Sequence, residues 1–227
     1  GSGGACADGT ALDAPASVAI SPDGGSAYVA SPSSDAVAIF ARDVPPETTI
    51  NSGPDGVIAD NTPTFTFSSS EPGSAFQCKT DSGPFGPCSG PGDSNTTFAL
   101  ADGPHRFQVR AIDPAANIDP TAASRTFAVD TVGPKTKIGK RPKHKVRTRR
   151  KKARVTVRFT SEKGARFRCR LDRGKSFRCS SPYRVKAASK RRRGKKHRIV
   201  IKAIDRAGNV GKPAKVGFRV IREHRRR

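Results

Sequence analysis

The chain has 227 residues, 43 of them Lys or Arg and 19 Asp or Glu, for a formal charge of +24. That length accommodates one to three domains, and no run of about 18 apolar residues occurs, so no transmembrane helix is expected. Methionine is absent, so a mature or excised piece is expected. The charge is split: residues 1–132 carry 5 Lys/Arg against 15 Asp/Glu, whereas residues 133–227 carry 38 against 4.

Residues 14–43 predict three short strands, at 18–20, 27–30 and 36–40, with Ser21-Pro22-Asp23-Gly24 as a turn. The segment "APASVAISPDGGSAYVASPSSDAVAIFARD" resembles one blade of a secreted β-propeller of the lactonase or NHL type. A propeller closes with at least four blades, so the resemblance implies further blades upstream. Cys6 is then expected to have its partner there, the alternative being a free or intermolecular thiol.

Residues 45–131 and 133–223 repeat one another at an offset of about 91. Ser-Glu-Pro-Gly at 70–73 aligns with Ser-Glu-Lys-Gly at 161–164, and Phe76-Gln-Cys78 with Phe167-Arg-Cys169. "HRFQVRAIDPAAN" (105–117) aligns with "HRIVIKAIDRAGN" (197–209), one residue further on. Both copies alternate apolar and polar residues with period two. Val155, Val157 and Phe159 interleave with Thr156 and Arg158, and Phe167, Cys169 and Leu171 with Arg168 and Arg170. Gly, Pro, Asn and Asp separate the runs, which favours two-sheet sandwiches over helices.

The pattern from "PPETTI" through "TPTFTFSSSEPGSAFQCKTDSGPFGPC" to "RTFAVDT" is similar to the bacterial Ig-like repeats of secreted and surface actinobacterial proteins, over about 180 residues. The resemblance implies spacer and adhesive modules with no catalytic residues. The expected fold is all-β: two tandem Ig-like β-sandwiches preceded by a short three-stranded, blade-like meander. The boundaries fall at 1–44, 45–131 (acidic) and 132–227 (strongly basic).

Four of the five cysteines form two pairs of equal spacing, Cys78 with Cys88 and Cys169 with Cys179, centred on Gly83 and Gly174. Hairpins folded about those glycines would oppose the sulfurs at Cα separations of ~4.5–5.5 Å, suited to a disulfide. Each closure is expected to contribute roughly 2–3 kcal/mol. Zinc is disfavoured by the absence of short C-x-x-C spacings and of neighbouring His. Disulfides place the chain in an oxidising compartment, secreted or associated with the cell envelope.

No constellation for catalysis emerges, and neither a cofactor nor a metal is expected. His105 and His197 hold equivalent places in the repeats, a mark of scaffold, while His144 and His224 lie among Lys and Arg. Asp113–Asn117 and Asp205–Asn209 each offer two side-chain oxygen donors, too few alone for Ca²⁺, and read better as Asx-type turns. Asn95-Thr96-Thr97 fits a glycosylation sequon.

The basic runs carry the functional expectation. "KRPKHKVRTRRKKAR" (140–154) contains Arg149, Arg150, Lys151 and Lys152. "KRRRGKK" (190–196) contains Lys190, Arg191, Arg192, Arg193, Lys195 and Lys196. Outward strand positions Arg158, Arg168, Arg170, Arg198 and Lys202 are basic too. So dense a charge repels itself and destabilises a compact fold unless a polyanion relieves it.

The partner expected is an anionic envelope polymer or surface. Nucleic acid is the second class, disfavoured because the phenylalanines of this half alternate inward and leave little to stack on bases. A third alternative makes the chain an appendage of an enzymatic propeller. The sequence specifies neither the polymer nor an oligomeric state.

Overall fold

The computed structural model describes residues 16–22, 26–31, 36–41, 44–90, 92–191 and 193–223. Among them every helix or strand element is a strand, and no helix is long and apolar enough to cross a membrane. Cys6, the 23–25 turn residues, Arg192 and the Arg225–Arg227 tail lie outside the described residues.

The first three strands, β1 (Ser17–Ile20), β2 (Ser26–Ser31) and β3 (Ala36–Ala41), form an antiparallel meander in that order. Ser21 closes the first turn: its Oγ accepts the Ser26 N–H at 2.8 Å and its own N–H reaches the Ser26 carbonyl at 2.9 Å. Val18, Ile20, Val37 and Ile39 remain 62–71% exposed.

The first repeat supplies β4 (Thr48–Ser52), β5 (Gly56–Ile58), β6 (Thr64–Ser69) and β7 (Ala75–Thr80). Then come β8 (Gly86–Pro87), β9 (Ser94–Thr96), β10 (Gly103–Ile112) and β11 (Ala123–Val129). They make sheets of order β5-β11-β10-β7-β8 and β4-β6-β9. Period-two alternation sends Phe65 and Phe67 of β6 inward, opposite Phe107, Val109 and Ala111 of β10, all 0–1% exposed. Phe65 stacks on Phe107 with ring centroids 4.0 Å apart, and aromatic burial of this kind dominates the energy of a small core.

The second repeat supplies β12 (Lys137–Ile138), β13 (Lys145–Thr148), β14 (Lys152–Val157), β15 (Phe159–Thr160) and β16 (Arg166–Leu171). After these come β17 (Phe177–Cys179), β18 (Tyr183–Ala188), β19 (Lys195–Ile204) and β20 (Ala214–Arg222). One sheet runs β13-β20-β19-β16-β17; the other comprises β14-β18 and β12-β15. Strands β14 and β15 are one strand interrupted at Arg158, whose N–H donates to Lys140 and whose carbonyl accepts from Gly139, both at 2.9 Å. Val155, Val157 and Phe159 from this side meet Cys169, Ile199, Ile201, Val216, Phe218 and Val220 from the other in one buried cluster. In each repeat a short edge strand runs parallel to the last strand, β5 beside β11 and β13 beside β20. The fold is therefore all-β, with two tandem Ig-like sandwiches after the meander.

Both disulfides join the expected partners, Cys78 to Cys88 and Cys169 to Cys179, with Cα atoms 5.0 and 5.8 Å apart. Their hairpins are not centred on the glycines, however. Cys78 lies opposite Gly86 and Cys169 opposite Phe177, two residues short of the partner cysteine. The turns bend at Asp81 and Asp172, with φ of 57° and 54°. Aspartate tolerates this left-handed conformation because its carboxylate bonds locally. Asp172 is held further by β19, accepting from the Arg198 N–H at 2.8 Å and from His197 Nδ1 at 2.8 Å. His197 is buried, its Nε2 bound to the Ala188 carbonyl at 2.7 Å, a scaffold role in keeping with its place in the repeat.

The Asp113 and Asp205 loops are turns. Asp113 Oδ1 accepts the Asn117 N–H; Asp205 Oδ1 accepts those of Gly208 and Asn209. Asn95 of the sequon is 7% exposed, and its Oδ1 accepts from the Ser89 N–H and hydroxyl, so it is closed to a glycosylating enzyme in the folded state.

Candidate functional site

Alternation in the five-stranded sheet of the second repeat turns one residue set into the core and the other to solvent. Each of the five strands places a cation in the outward set, which is interrupted by the buried Val200 and by Gly217. Arg168 of β16 lies directly opposite Lys202 of β19 on one side and Arg178 of β17 on the other. The next row runs Arg170, Val200, Lys215, with an apolar residue between the two cations, and the one after it sets Arg198 against Gly217. The last row runs Lys196, Arg219, Lys145. Except for the half-buried Arg219, these cations are exposed. Like charges directly opposite on one sheet face repel and weaken the pairing.

A shallow groove of about 1000 Å³ follows these rows, lined by His144, Arg170, Lys196, Arg198, Lys215 and Arg219 among others. Gly217 at its floor has open space where a side chain would stand. The groove's one carboxylate, Asp172, is engaged with His197 and Arg198.

The other sheet repeats the pattern at smaller scale. Arg154 of β14 lies opposite Lys186 of β18, and Arg184 faces Thr156. A second groove of about 550 Å³ is lined by Arg150, Lys151, Lys152, Arg154 and Lys186.

The sequence-predicted cations divide between these places. Arg149, Arg150 and Lys151 occupy the turn into β14 and Lys152 begins that strand; Lys190, Arg191 and Arg193 sit in the loop before β19; Lys195 and Lys196 open β19. The two loops meet through Ser189, whose hydroxyl donates toward the Arg150 and Lys151 carbonyls at 2.8 and 3.0 Å and whose N–H donates to Lys151 at 2.9 Å. Arg219 Nη1 anchors the second loop at the Arg193 carbonyl, 2.8 Å away. Gly194 lets the chain turn there with φ 67°, where a Cβ would meet Ile221 at 2.7 Å. Thus backbone and hydroxyl bonds and the Arg219 guanidinium shape the loops, and the described Lys and Arg residues of the loops themselves stay exposed.

Sequence reasoning passed over Arg178, Arg184, Lys186, Lys215 and Arg219, and took in Lys145 and Arg154 only as members of the run 140–154. The signal was present as basic residues on one strand face, two apart at Arg184 and Lys186 and four apart at Lys215 and Arg219. One inward expectation is corrected: Phe177 is 48% exposed, because it lies on the short edge strand β17 beyond the core, its ring 5.9 Å from that of Tyr183. Burial raises the Tyr183 hydroxyl pKa above its usual value. Away from the basic faces, Asp130, Glu162 and Asp205 are the described residues that gather as a candidate metal cluster.

No protein-family model matches the sequence. No curated protein matches it either. Among solved structures, the chain is similar to the fibronectin(III)-like modules of Clostridium thermocellum CbhA, with TM-score 0.45 and 15% identity over 80% of this chain and 99% of that one. A structure concerning host cell surface retention of a 1.5-MDa bacterial ice-binding adhesin gives 0.46 and 13%, covering 79% and 66%. The FN1-FN3 domains of chicken CNTN1 give 0.36 and 12%, covering 86% and 77%. Identity this low, with TM-scores under 0.5, fixes neither a ligand nor an activity.

Proposed function

We propose that the chain is a non-catalytic, extracellular interaction module whose basic second repeat, residues 133–227, binds anionic polymers of a cell envelope or a similar polyanionic surface. The observation that carries this reading is the set of like charges opposed across strands: Arg168 with Lys202 and Arg178, Lys196 with Arg219, and Arg154 with Lys186. A sheet face selected for stability alone would alternate charge sign or use Thr. The five-stranded face does neither, and an extended polyanion lying along the rows would convert repulsion into attraction. The two disulfides support an oxidising, extracellular setting.

Nucleic acid shares the phosphate chemistry but would draw on stacking rings. Phe177 is the one large aromatic more than a third exposed among the described residues of 133–223. A general polyanion is therefore favoured. The test is retention of the full chain on heparin and on duplex DNA at matched salt. Elution is expected to move steeply with salt on both resins, because released counterions drive binding. Neutralising Lys190, Arg191, Arg192, Arg193, Lys195 and Lys196 together is expected to weaken retention without unfolding. Retention insensitive to salt would leave the chain a plain spacer, and selective retention on DNA would move the assignment to nucleic acid.

A further inference from the structure

The turn after β19 differs from its counterpart after β10 in where one asparagine points. In the first repeat, Asn117 serves Asp113 twice: its N–H reaches Oδ1 at 2.8 Å and its Nδ2 reaches Oδ2 at 2.9 Å, so both carboxylate oxygens are matched. In the second, Asp205 Oδ1 again accepts backbone amides, from Gly208 at 2.7 Å and Asn209 at 2.8 Å. The Asn209 side chain instead donates to the backbone carbonyl of Asp130. Asp205 is 1% exposed, and its Oδ2 is buried without a hydrogen-bond partner. A buried carboxylate oxygen in that condition calls for a ligand.

Two further carboxylates come to the same place. Asp130, just after β11, and Glu162, in the turn before β16, each bring an oxygen into a cluster with one of Asp205, all within 4.8 Å of one another. Charge makes this grouping unexpected. Residues 133–227 hold 38 Lys/Arg and only four acidic residues. Asp172 and Glu223 each take a cationic or hydrogen-bonding partner, His197 and Arg147. Glu162 and Asp205 turn to a third carboxylate, and no described Lys or Arg makes an ion pair with any of the three. Arg206 packs against Gly164. Three carboxylates so close repel one another unless a cation is shared.

We propose that Asp130, Glu162 and Asp205 form a binding site for a hard divalent cation of the calcium class. The donor set is oxygen alone, which selects Ca²⁺ or Mg²⁺ over the metals that seek His or Cys. Two oxygens held by one Ca²⁺ at ~2.4 Å can stand no more than about 4.8 Å apart, and the cluster meets that limit. Carboxylates and water complete the six to eight oxygens Ca²⁺ takes; the strict octahedron of Mg²⁺ suits three ligands from separate loops less well. The backbone beside the site is already close-packed. A Cβ at Gly211 would stand 1.8 Å from the Pro134 carbonyl, and one at Gly133 2.9 Å from that of Val210. A bound ion would therefore fasten a segment, 130–134, that packing has brought into position.

The test is calorimetric titration of CaCl₂ and MgCl₂ into the chelator-treated full chain, paired with thermal melts. One Ca²⁺ per chain is expected, with a dissociation constant of ~0.1–1 mM or tighter, as in extracellular modules, and a raised melting temperature. Glu162→Gln, at an exposed position that leaves the core intact, and Asp130→Asn are each expected to weaken binding about tenfold or more. Asp113→Asn in the first repeat is expected to leave it unchanged. Absence of saturable binding, or equal binding by the Glu162→Gln/Asp130→Asn double variant, would overturn the site. Mg²⁺ binding as tight as Ca²⁺ would overturn the calcium assignment.

Discussion

The backbone N–H of Thr48 donates to Asp119 Oδ2 at 3.0 Å, joining residues 71 apart in the chain. Thr48 Oγ1 in turn accepts the Ala111 N–H at 2.8 Å, and Asp119 Oδ1 takes the N–H and hydroxyl of Thr121 at 2.7 and 3.1 Å. The start of β4 is thereby tied to the segment that leaves β10. Burial by itself would raise the Asp119 pKa; the hydrogen bonds from Thr48 and Thr121 outweigh it and hold the carboxyl below its ordinary value.

This bonding has a pH signature. With the folded pKa depressed, the stability it contributes is present above the unfolded pKa of about 3.9 and is lost as pH falls through the folded value. Asp119→Asn is expected to lower the first sandwich's stability by about 1–2 kcal/mol at pH 7, because the carboxylate bonds are charge-assisted. That difference is expected to shrink as pH drops below about 4. Denaturant melts of parent and variant at several pH values measure it, and a constant gap down to pH 2 would contradict the assignment.

The disulfides make a second, separable contribution. Exchanging Cys169 and Cys179 for Ser is expected to cost the second sandwich about 2–3 kcal/mol, the entropy of closing a ten-residue loop. Peptide mapping without reductant checks the pairing first, since a Cys78–Cys169 link would break the repeat-by-repeat pattern.

Much of this fold was legible because period-two alternation reports burial directly. Val155, Val157 and Phe159 were expected inside and are 0–3% exposed, and the strands of the meander fall within a residue or two of their predicted limits. What was not legible lay in turns and in convergence. The hairpins bend at Asp81 and Asp172, although glycine is the commoner left-handed residue, because Asp172 is held by contacts with β19 that only the folded chain supplies. Strand registers cannot be read locally either, so the opposition of Arg168 and Lys202 was hidden. The Asp130, Glu162 and Asp205 cluster was invisible for the same reason: each turn considered alone offers too few oxygens.

Gly211 gives a sharp steric prediction. A Cβ there would fall 1.8 Å from the Pro134 carbonyl, a backbone atom that cannot swing aside, whereas Gly217 has nothing within 4 Å. Gly211→Ala is expected to destabilise by about 1–3 kcal/mol through overpacking, and Gly217→Ala to stay within about 0.5 kcal/mol of the parent. Equal effects in denaturant melts would mean that the 133–134 segment packs elsewhere.

The meander is expected to open most readily. Val18, Ile20, Val37 and Ile39 stay largely in water, so β1 to β3 gain little from burial to offset the entropy of ordering. Their amides are expected to exchange far faster than those of β19, where His197, Ile199, Val200, Ile201 and Ala203 are buried. Protection equal to that of β19 would show a covered sheet.

The basic sheet face predicts opposite changes in stability and binding. Arg168 and Lys202 are exposed and directly paired across β16 and β19. Replacing both by Thr keeps β propensity and removes a like-charge pair, which is expected to raise stability at low salt by about 0.2–1 kcal/mol. Salt should erase that gain, since screening at about 0.15 M already acts within ~8 Å. The same variant is expected to elute from heparin at lower salt, because two cations of the sheet face no longer release counterions from the polymer. Melts at two ionic strengths together with heparin elution decide the matter. Unchanged elution would make the sheet face a bystander and leave binding to the loops at 149–152 and 190–196. Loss of stability together with binding would show that the side-chain stems pack on the sheet, so that geometry, rather than charge, was removed.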